Sequence, residues 1–518
     1  MTFRLAKCLS SPGSTLLYSR HSSLGLRASR WKSTVSGQVE HGEEKEGATA
    51  KPFEAIPGPK GLPFVGTALH AALGGWMDKL HIHSQNRWRQ YGSIFKETIG
   101  PQTWVTIADP DDVAAVLRAE GRYPRRYAFE SFIMAREIMD KKLGVFLEND
   151  ETWQHYRTLL NKKLLRPQQA AVFTPLMDEA ACNLVSYLRR KRDQGGRVTD
   201  FQGHLFRWSM ESGSTAMFNQ HLGLLSENPP QLAKDFISSI IKILDTTNAM
   251  MTFPPKVHKA LNTKAWRDHL EGWQTCFEIT KQLIQEIMER EMERKEEEEE
   301  MPDLVSYLLS VKLSPEEVLA NIVDVLGAAV DTTSNTMCFT LHTLARHPNI
   351  QEKLHDEVVR FAPDHQAPVT QEQVHKMPYL RGVIKEVLRL YPVTYINSRV
   401  LNHDAVVCGY KIPAGKTIII CPYVMGRDPK NFDNPEEFHP ERWYRENSKN
   451  LKAFAWLPFG FGPRSCVGRR IAETEMHLAL IRICQNFKLE QEKPEELVGK
   501  VRALLVPEKS VDLKLIDR

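Results

Sequence analysis

The sequence predicts a mainly α-helical protein with small β-sheets, built as one large domain. Residues from Trp76 to about Asn349 are typical of helices joined by short loops. From Tyr391 onward the pattern changes to short β-like segments separated by Pro, Gly and Asp, and helix returns at residues 472–487. The composition, 42% hydrophobic and 25% charged over 518 residues, is that of a globular protein. No apolar run approaches the roughly 18 residues of a membrane-spanning helix.

The first residues of the chain differ from the rest in charge. Residues 1–39 contain no Asp or Glu, carry six Lys or Arg and are rich in Ser. This composition is typical of an organelle transit peptide, with a basic disordered tail as the alternative, and its apolar stretches are too short for a secretory signal. We therefore expect a transit peptide at 1–33, a polar linker at 34–54 and the main domain at 55–518. Beyond the leader the chain is close to neutral, so nothing indicates nucleic acid binding.

Three further segments mark the organisation of the chain. Three prolines and three glycines in residues 55–66 predict a stiff, non-helical connector. Residues 94–109 predict two strands. The acidic run at 289–303 is typical of a solvated helix end followed by a loop.

The best-marked helix begins after Ser314. This residue is suited to cap the helix, Pro315 favours the first helical position, and Glu317 completes a capping box. The helix is expected to end before Pro348. About 32 residues would span roughly 48 Å, enough to cross a whole domain.

Asp331 and Thr332 interrupt the apolar middle of this helix. An unpaired buried carboxylate is costly, so a polar pair in this position needs a reason. Either the two side chains take part in function, or they form a satisfied polar pair at a kink.

Cys466 is distinguished from the other cysteines by its neighbours. The eight cysteines form no C-x-x-C pair, so they have no zinc or iron–sulfur spacing, and most are expected in the core. Around Cys466 lies the segment PFGFGPRSCVGRR, whose glycines permit a tight turn and close approach to a flat group. Arg464 would favour the thiolate, and a helix starting after Gly468 would direct its positive end at the sulfur. These features indicate a metal ligand inside a cofactor rather than core packing.

The same segment resembles the haem-ligating motif of the cytochrome P450 family, F-x-x-G-x-R-x-C-x-G. The matching residues are Phe459, Gly462, Arg464, Cys466 and Gly468. Three more motifs stand in the order that the family uses: WQHYR with Trp153 and Arg157, KEVLR with Glu386 and Arg389, and FHPERW with Arg442. The similarity extends from about Ile56 to the C-terminus. It implies the cytochrome P450 fold, a triangular, mainly helical domain with haem b between the long helix and the cysteine loop.

The resemblance also implies a role for each motif. Cys466 would be the thiolate ligand of the haem iron, with Phe459 packed near the sulfur. The haem propionates would be bound by the set Trp153, Arg157, Arg399 and Arg464. Glu386, Arg389 and Arg442 would form a buried structural network, in which loss of one member leaves a charge unpaired.

For the long helix, the resemblance implies oxygen activation. AAVDTT is similar to the family's motif, with Asp331 and Thr332 as the acid and alcohol that supply protons. The family usually has Gly where this chain has Ala329. We expect the extra methyl group to narrow the oxygen groove or shift the position of attack.

Electrons must come from another protein, because the chain has no flavin, nicotinamide or iron–sulfur motif. The transit-like leader is similar to that of the animal mitochondrial group of the family, whose members are peripheral on the matrix side of the inner membrane. This implies an adrenodoxin-like ferredoxin and its NADPH-dependent reductase as partners. The residues that match ferredoxin-contacting positions are Arg381, Lys385, Arg469 and Arg470.

The overall pattern is similar to sterol, vitamin D and bile-acid hydroxylases, which implies O2 and a lipophilic substrate. Substrate contacts are expected from residues 129–138, 249–253 and 393–397 and from the helix before Asp331, and Asn397 is a candidate donor to a substrate oxygen. The apolar segment at 248–255 is either a membrane contact or a buried helix end.

Two other functions stay open from the sequence. A haem-thiolate isomerase or dehydratase would use the same fold without O2, and a haem-binding sensor would have no turnover. The acid–alcohol pair and the basic surface residues both favour a monooxygenase.

Overall fold

Helices make up most of the chain in the computed structural model, which describes residues 50–62, 66–68, 70, 74–99, 102–293, 303–491 and 495–518. The α-helices of the described part are α1 (Leu80–Tyr91), α2 (Pro110–Arg118), α3 (Glu130–Ile138), α4 (Asp150–Leu164), α5 (Pro167–Ala171), α6 (Thr174–Lys191), α7 (Phe201–Phe218), α8 (Gln231–Thr252), α9 (Pro255–Ala260), α10 (Lys264–Glu293), α11 (Leu304–Ser310), α12 (Pro315–Arg346), α13 (Pro348–Phe361), α14 (Gln371–His375), α15 (Pro378–Leu390), α16 (Pro422–Met425) and α17 (Arg469–Asn486). Short 3-10 helices lie at Phe53–Ala55, Met77–Lys79, Pro440–Trp443 and Ser448–Asn450. The predicted transit peptide, most of the polar linker and the centre of the acidic run lie outside the described residues.

The strands are short and form small sheets. They are β1 (Ile94–Ile99), β2 (Gln102–Ile107), β3 (Arg197–Val198), β4 (Asn397–Val400), β5 (Ala405–Val407), β6 (Tyr410–Ile412), β7 (Thr417–Ile420), β8 (Phe487–Glu490), β9 (Gly499–Arg502), β10 (Leu504–Pro507) and β11 (Leu513–Asp517). One sheet has the order β1-β2-β7-β4, with β2 and β7 parallel. Another has the order β3-β11-β8, while β5–β6 and β9–β10 are antiparallel pairs. The prediction of a mainly helical domain with small sheets is confirmed.

The bounds of the long helix α12 follow from its capping residues. The Ser314 hydroxyl accepts a hydrogen bond from the backbone of Glu317, and the Glu317 carboxylate accepts one from the backbone of Ser314 at 2.9 Å. This reciprocal capping box satisfies two N–H groups that the first helical turn leaves free. The helix has 32 residues and ends two positions before Pro348.

The long helix organises the body of the molecule. It packs mainly against α7, while α8 packs on α10 and α17 packs on α6. Residues 50–518 form one compact unit. Among the described helices, none is long and apolar enough to cross a membrane.

Candidate functional site

The segment around Cys466 folds into a tight loop that leads into α17. The backbone N–H of Cys466 donates to the Phe459 carbonyl at 2.8 Å, which closes the loop. Gly460 and Gly462 have φ angles of +68° and +73°, in the left-handed region that favours glycine. A Cβ atom on Gly462 would also collide with the carboxylate of Glu120. The loop therefore requires these glycines and places the cysteine just before the N-terminus of α17.

The Cys466 side chain is exposed to an internal cavity of about 430 Å³. Burial away from bulk water raises the pKa of its thiol, while the backbone of Gly468 and the charges of Arg157 and Arg126 lower it. Arg464, the cation that the sequence predicts to favour the thiolate, directs its guanidinium at the Pro124 carbonyl and the Asn149 side chain. A metal ion at the sulfur would complete the deprotonation.

The cavity brings the sulfur and the polar pair of α12 together. Cys466, Asp331 and Thr332 all line it. Most of the other lining side chains are apolar, including Phe132, Ile240, Leu244, Met251, Val393 and Leu504. The predicted substrate segments at 129–138, 249–253 and 393–397 each contribute to the lining, and so does Asn397. Such a cavity suits a large apolar molecule placed between the sulfur and α12.

Three arginines at the cavity have N–H groups without a partner in the described part of the chain. These groups are Nε of Arg126, Nε of Arg157 and Nη1 of Arg464. Burial, and then the mutual repulsion of neighbouring arginines, lowers the pKa of Arg464 to about 8. Burial lowers the pKa values of Arg126 and Arg157 to about 10. Buried cations with free donors require an anion, so the cluster is a binding site for a negatively charged ligand.

Arg464 is held in place by the chain around it. Its Nε donates to the Pro124 carbonyl at 2.8 Å, and its Nη2 donates to the Asn149 side chain at 2.7 Å. The guanidinium carbon lies 3.9 Å from the centroid of the Trp153 ring. The indole N–H of Trp153 is buried and also has no partner among the described residues. This arrangement leaves Nη1 of Arg464 and the indole N–H available to a ligand.

Arg399, a sequence-predicted propionate contact, lines the cavity but is already engaged. Its guanidinium forms an ion pair with Glu120 and donates to the Phe461 carbonyl at 3.3 Å. Burial raises the pKa of Glu120, against the lowering effect of Arg399. Glu120 therefore balances the charge of Arg399.

The residues present fit haem b, the cofactor that the sequence resemblance implies. The cavity is bounded by a thiol that can ligate iron and by cationic groups with free donors. Two propionate carboxylates would supply the anions that these donors lack.

On α12, Asp331 is buried and paired with an arginine from the C-terminal part of the chain. Its Oδ1 atom accepts from Nη2 of Arg502 at 2.9 Å, whereas Oδ2 has no partner in the described structure. Burial raises the pKa of Asp331, against the opposing charge of Arg502. The sequence left open whether Asp331 and Thr332 form a satisfied polar pair. In the described structure only Oδ1 of Asp331 is satisfied by a hydrogen bond, and Oδ2 is not.

Thr332 and Ala329 lie on the same part of α12. The Thr332 hydroxyl donates to the Ala328 carbonyl one turn earlier at 2.8 Å and leaves its oxygen lone pairs towards the cavity. The Ala329 methyl group lies beside Gly213 of α7, and a Cβ built on that glycine would be 3.8 Å away. The Ala329 methyl group is therefore accommodated at the contact between α12 and α7.

The structure joins Glu386, Arg389 and Arg442 in one buried network. The Glu386 carboxylate accepts from Arg389 at 2.7 Å and from Arg442 at 3.2 Å. It also accepts from the Trp443 indole at 2.9 Å. Arg389 in turn donates to the Gly426 carbonyl at 2.6 Å. The network therefore ties α15 to the irregular segment that precedes the cysteine loop.

The structure also gathers most of the predicted basic surface residues. Lys385 lies on α15 with its ammonium 5.6 Å from the Trp443 ring centroid and 5.9 Å from that of Trp456. Burial lowers the pKa of Lys385, and the charges of Arg381 and Arg469 lower it further. These three residues therefore form one positive patch beside the cysteine loop.

Arg470 is directed elsewhere. Its Nε donates at 2.6 Å to the Leu165 carbonyl, at the end of α4. Arg469 lies on the exposed side of α17, where it forms an ion pair with Glu473 at 3.0 Å. Of the two, Arg469 is the one that belongs to the positive patch.

Comparison with known proteins decides the family. The cytochrome P450 family model matches residues 56–515. The chain belongs to the cytochrome P450 family. It is a haem-thiolate monooxygenase, with haem b as its cofactor.

Several curated P450s are similar over most of their length. The mitochondrial cholesterol side-chain cleavage enzyme of Oncorhynchus mykiss is 33% identical over 95% of each chain. The mitochondrial cytochrome P450 11B of Aquarana catesbeiana is 34% identical over 83% of each chain. Cytochrome P450 27C1 of Danio rerio is 33% identical over 92% of this chain and 89% of its own.

Sequence reasoning missed four residues of the P450 site: Glu120, Arg126, Glu475 and Arg502. Arg126 and Arg502 lie outside the motifs quoted above, and no short-range spacing connects either to the cysteine. Glu475, on α17, lines the cavity and has one carboxylate oxygen without a partner in the described part. Burial raises its pKa to about 8.

Proposed function

We propose that this P450 is a mitochondrial, ferredoxin-dependent hydroxylase of a sterol- or secosteroid-like substrate. The observation that carries the proposal is the single cavity shared by the Cys466 sulfur, the arginine cluster and the Asp331–Thr332 pair. The apolar lining supports a lipophilic substrate. The relatives named for cholesterol side-chain cleavage support a sterol-like one.

Several residues would hold haem b. Cys466 would ligate the iron, with Phe459 beside the sulfur to exclude water. The propionates would accept hydrogen bonds from Arg157, Arg464 and Trp153, as predicted, and from Arg126 as well. When bound, the haem supplies electron-rich iron that activates O2 and favours O–O cleavage.

The polar pair on α12 would deliver protons. The overall reaction consumes one substrate C–H bond, one O2, two protons and two electrons, and gives one alcohol and one water. Asp331 would take a proton from water at its free Oδ2 atom and pass it on through the Thr332 hydroxyl. This ordered delivery requires the carboxylate to be ionised between turnovers, which the Arg502 charge favours.

Apolar contact and one polar group would orient the substrate. Phe132, Ile240 and Val393 lie in the cavity wall and would contact an apolar ring system. Asn397 at the start of β4 would hydrogen-bond a substrate oxygen. A single hydrogen-bonding group in an apolar pocket fixes orientation more than affinity.

The positive patch of Arg381, Lys385 and Arg469 would dock the ferredoxin. An acidic partner is drawn to such a patch by long-range attraction, which falls as salt rises. Arg470, whose Nε donates to the Leu165 carbonyl, lies outside this patch. Because Arg469 lies three residues from Cys466, the patch provides a short path for electrons to the haem.

The short helix α9 and the residues on either side of it would contact the inner membrane from the matrix side. Phe253, Val257 and Leu261 are 53%, 44% and 72% exposed, whereas Met250 near the end of α8 is buried. Exposed apolar side chains grouped along a short segment are typical of a surface that dips into a bilayer.

A donor-exchange experiment tests the proposal. The purified enzyme is assayed with NADPH and a panel of sterols and secosteroids, using either a ferredoxin with its reductase or a flavoprotein reductase of the microsomal type. We expect hydroxylated product from at least one panel member with the ferredoxin system only. Turnover driven by the flavoprotein alone would contradict the proposed partner, and failure of every panel member to bind would contradict the substrate class.

A further inference from the structure

The β9–β10 hairpin reaches the cavity with its tight turn. Arg502 and Leu504 face each other across the turn, and Ala503 between them has a φ of +60°. Ala503 and Leu504 both line the cavity. The turn residues next to Arg502 therefore form part of the cavity wall.

The Arg502 guanidinium links two acidic residues from different helices. Its Nη2 lies 2.9 Å from Oδ1 of Asp331 on α12, and its Nη1 lies 3.7 Å from Oδ1 of Asp245 on α8. Asp331 is 1% exposed, whereas Asp245 is half exposed. Of these two contacts, the buried one is the stronger because water screens it least.

The Asn248 side chain also fixes the hairpin turn to α8. Asn248 donates from its amide nitrogen to the Val501 carbonyl, and its amide oxygen accepts from the backbone of Ala503 at 3.0 Å. α8 also contributes Ile240 and Leu244 to the cavity wall. A substrate that contacts α8 or the turn would therefore also affect the position of Arg502, because Asn248 connects the two elements.

We propose that Arg502 is a positioning residue for proton delivery. Its charge favours the ionised form of the Asp331 carboxylate and its Nη2 atom orients that carboxylate, while the hairpin turn places Arg502 relative to the substrate. The inference rests on the proposed relay role of Asp331. Because Arg502 binds Oδ1, it leaves Oδ2 as the oxygen that exchanges protons. A substrate that fills the space beside Ala503 and Leu504 keeps Arg502 in contact with Asp331. The fraction of electrons that ends in product therefore depends on how well the substrate fits against the hairpin.

The first test measures coupling, the ratio of product formed to NADPH consumed, with the ferredoxin system. Arg502→Gln removes the charge but keeps hydrogen-bonding capacity. We expect coupling to fall about tenfold, with the lost electrons released as hydrogen peroxide, and the solvent isotope effect on turnover to rise. Arg502→Lys is expected to recover part of the coupling. Lys500→Gln, which removes a positive charge from the same strand, is expected to match the wild type.

A second measurement separates positioning from damage to the fold. Turnover supported by iodosylbenzene, which transfers a single oxygen atom, needs no proton delivery, so Arg502→Gln should retain it, together with its haem content. Equal loss of iodosylbenzene-supported turnover would overturn the inference in favour of a structural role.

The variant Asp331→Asn separates a failure of the positioning role of Arg502 from a failure of the relay role of Asp331. The double variant with Arg502→Gln should be no less coupled than Asp331→Asn alone, because Arg502 acts through that carboxylate. If Asp331→Asn uncouples the enzyme and Arg502→Gln does not, the positioning role is overturned. If Asp331→Asn leaves coupling unchanged, the proposed relay itself fails, and the role of Arg502 with it.

Discussion

The guanidinium carbon of Arg464 lies 3.9 Å from the ring centroid of Trp153, and its Nη1 atom has no hydrogen-bond partner among the described residues. The stacking contact and the bonds to Pro124 and Asn149 hold the guanidinium in one orientation. The site is therefore preorganised, and little side-chain entropy is lost when a carboxylate binds.

Replacing Arg464 should weaken haem binding. Loss of a charge-assisted hydrogen bond is worth about 1.5–3 kcal/mol, so Arg464→Ala should speed haem loss roughly 10- to 100-fold. The measurement is the rate of haem transfer to an excess of a haem-scavenging globin. Arg118→Ala, which removes an exposed arginine from α2, is the control. An unchanged rate in Arg464→Ala would contradict the propionate assignment.

Glu386 should be needed for folding rather than for turnover. Glu386→Gln leaves the charges of Arg389 and Arg442 without their buried partner, which costs about 3–5 kcal/mol of unfolding free energy. Urea unfolding followed by circular dichroism measures this loss. Glu372→Gln removes the exposed partner of Lys376 and should leave the unfolding midpoint unchanged. A stable Glu386→Gln protein with full haem content would refute the structural role.

Lys385 should affect the use of ferredoxin and little else. Lys385→Gln removes a charge from the positive patch, so the KM for ferredoxin should rise about tenfold at low salt, with the difference from wild type shrinking as salt is added. Peroxide-supported turnover should stay unchanged, because it bypasses the partner. Lys376→Gln, at the residue that directly follows α14, is the matched surface control. A salt-independent effect would speak against electrostatic docking.

Glu475 should make the stability of the fold depend on pH. Burial raises its pKa to about 8 from an ordinary value of 4.5. Between these two values the folded protein keeps a proton that the unfolded chain releases, so the free energy of unfolding falls as pH rises through this window.

The slope due to Glu475 is on the order of 1 kcal/mol per pH unit, since it reflects one proton. Glu475→Gln cannot ionise, and its stability should decline less between about pH 5 and pH 8. Urea unfolding at several pH values compares the two proteins. Parallel curves for wild type and variant would show that Glu475 titrates normally.

Local signals allowed much of the fold to be predicted. The capping box of Ser314 and Glu317 determines where α12 begins, and Pro348 limits where it ends. Both signals are local, so the bounds of this helix follow from sequence. The short strands near residues 94–109 and after Tyr391 are likewise marked by β-branched residues and turns.

Contacts between distant parts of the chain could not be predicted. Arg502 and Asp331 are 171 residues apart, and Arg399 and Glu120 are 279 apart. Neither pair has a local pattern, because each forms only when strands and helices meet around the cavity. For the same reason the sequence did not reveal that the charges of Arg157 and Arg126 act on the pKa of the Cys466 thiol.

One labelling measurement tests the central claim most directly. The enzyme, ferredoxin, reductase and NADPH are incubated with the best-binding sterol or secosteroid under isotopically labelled dioxygen, and the product is analysed by mass spectrometry. The proposed function predicts one labelled oxygen atom in each product molecule, with coupling that drops in Thr332→Ala. A product of rearrangement or dehydration that carries no label would contradict it.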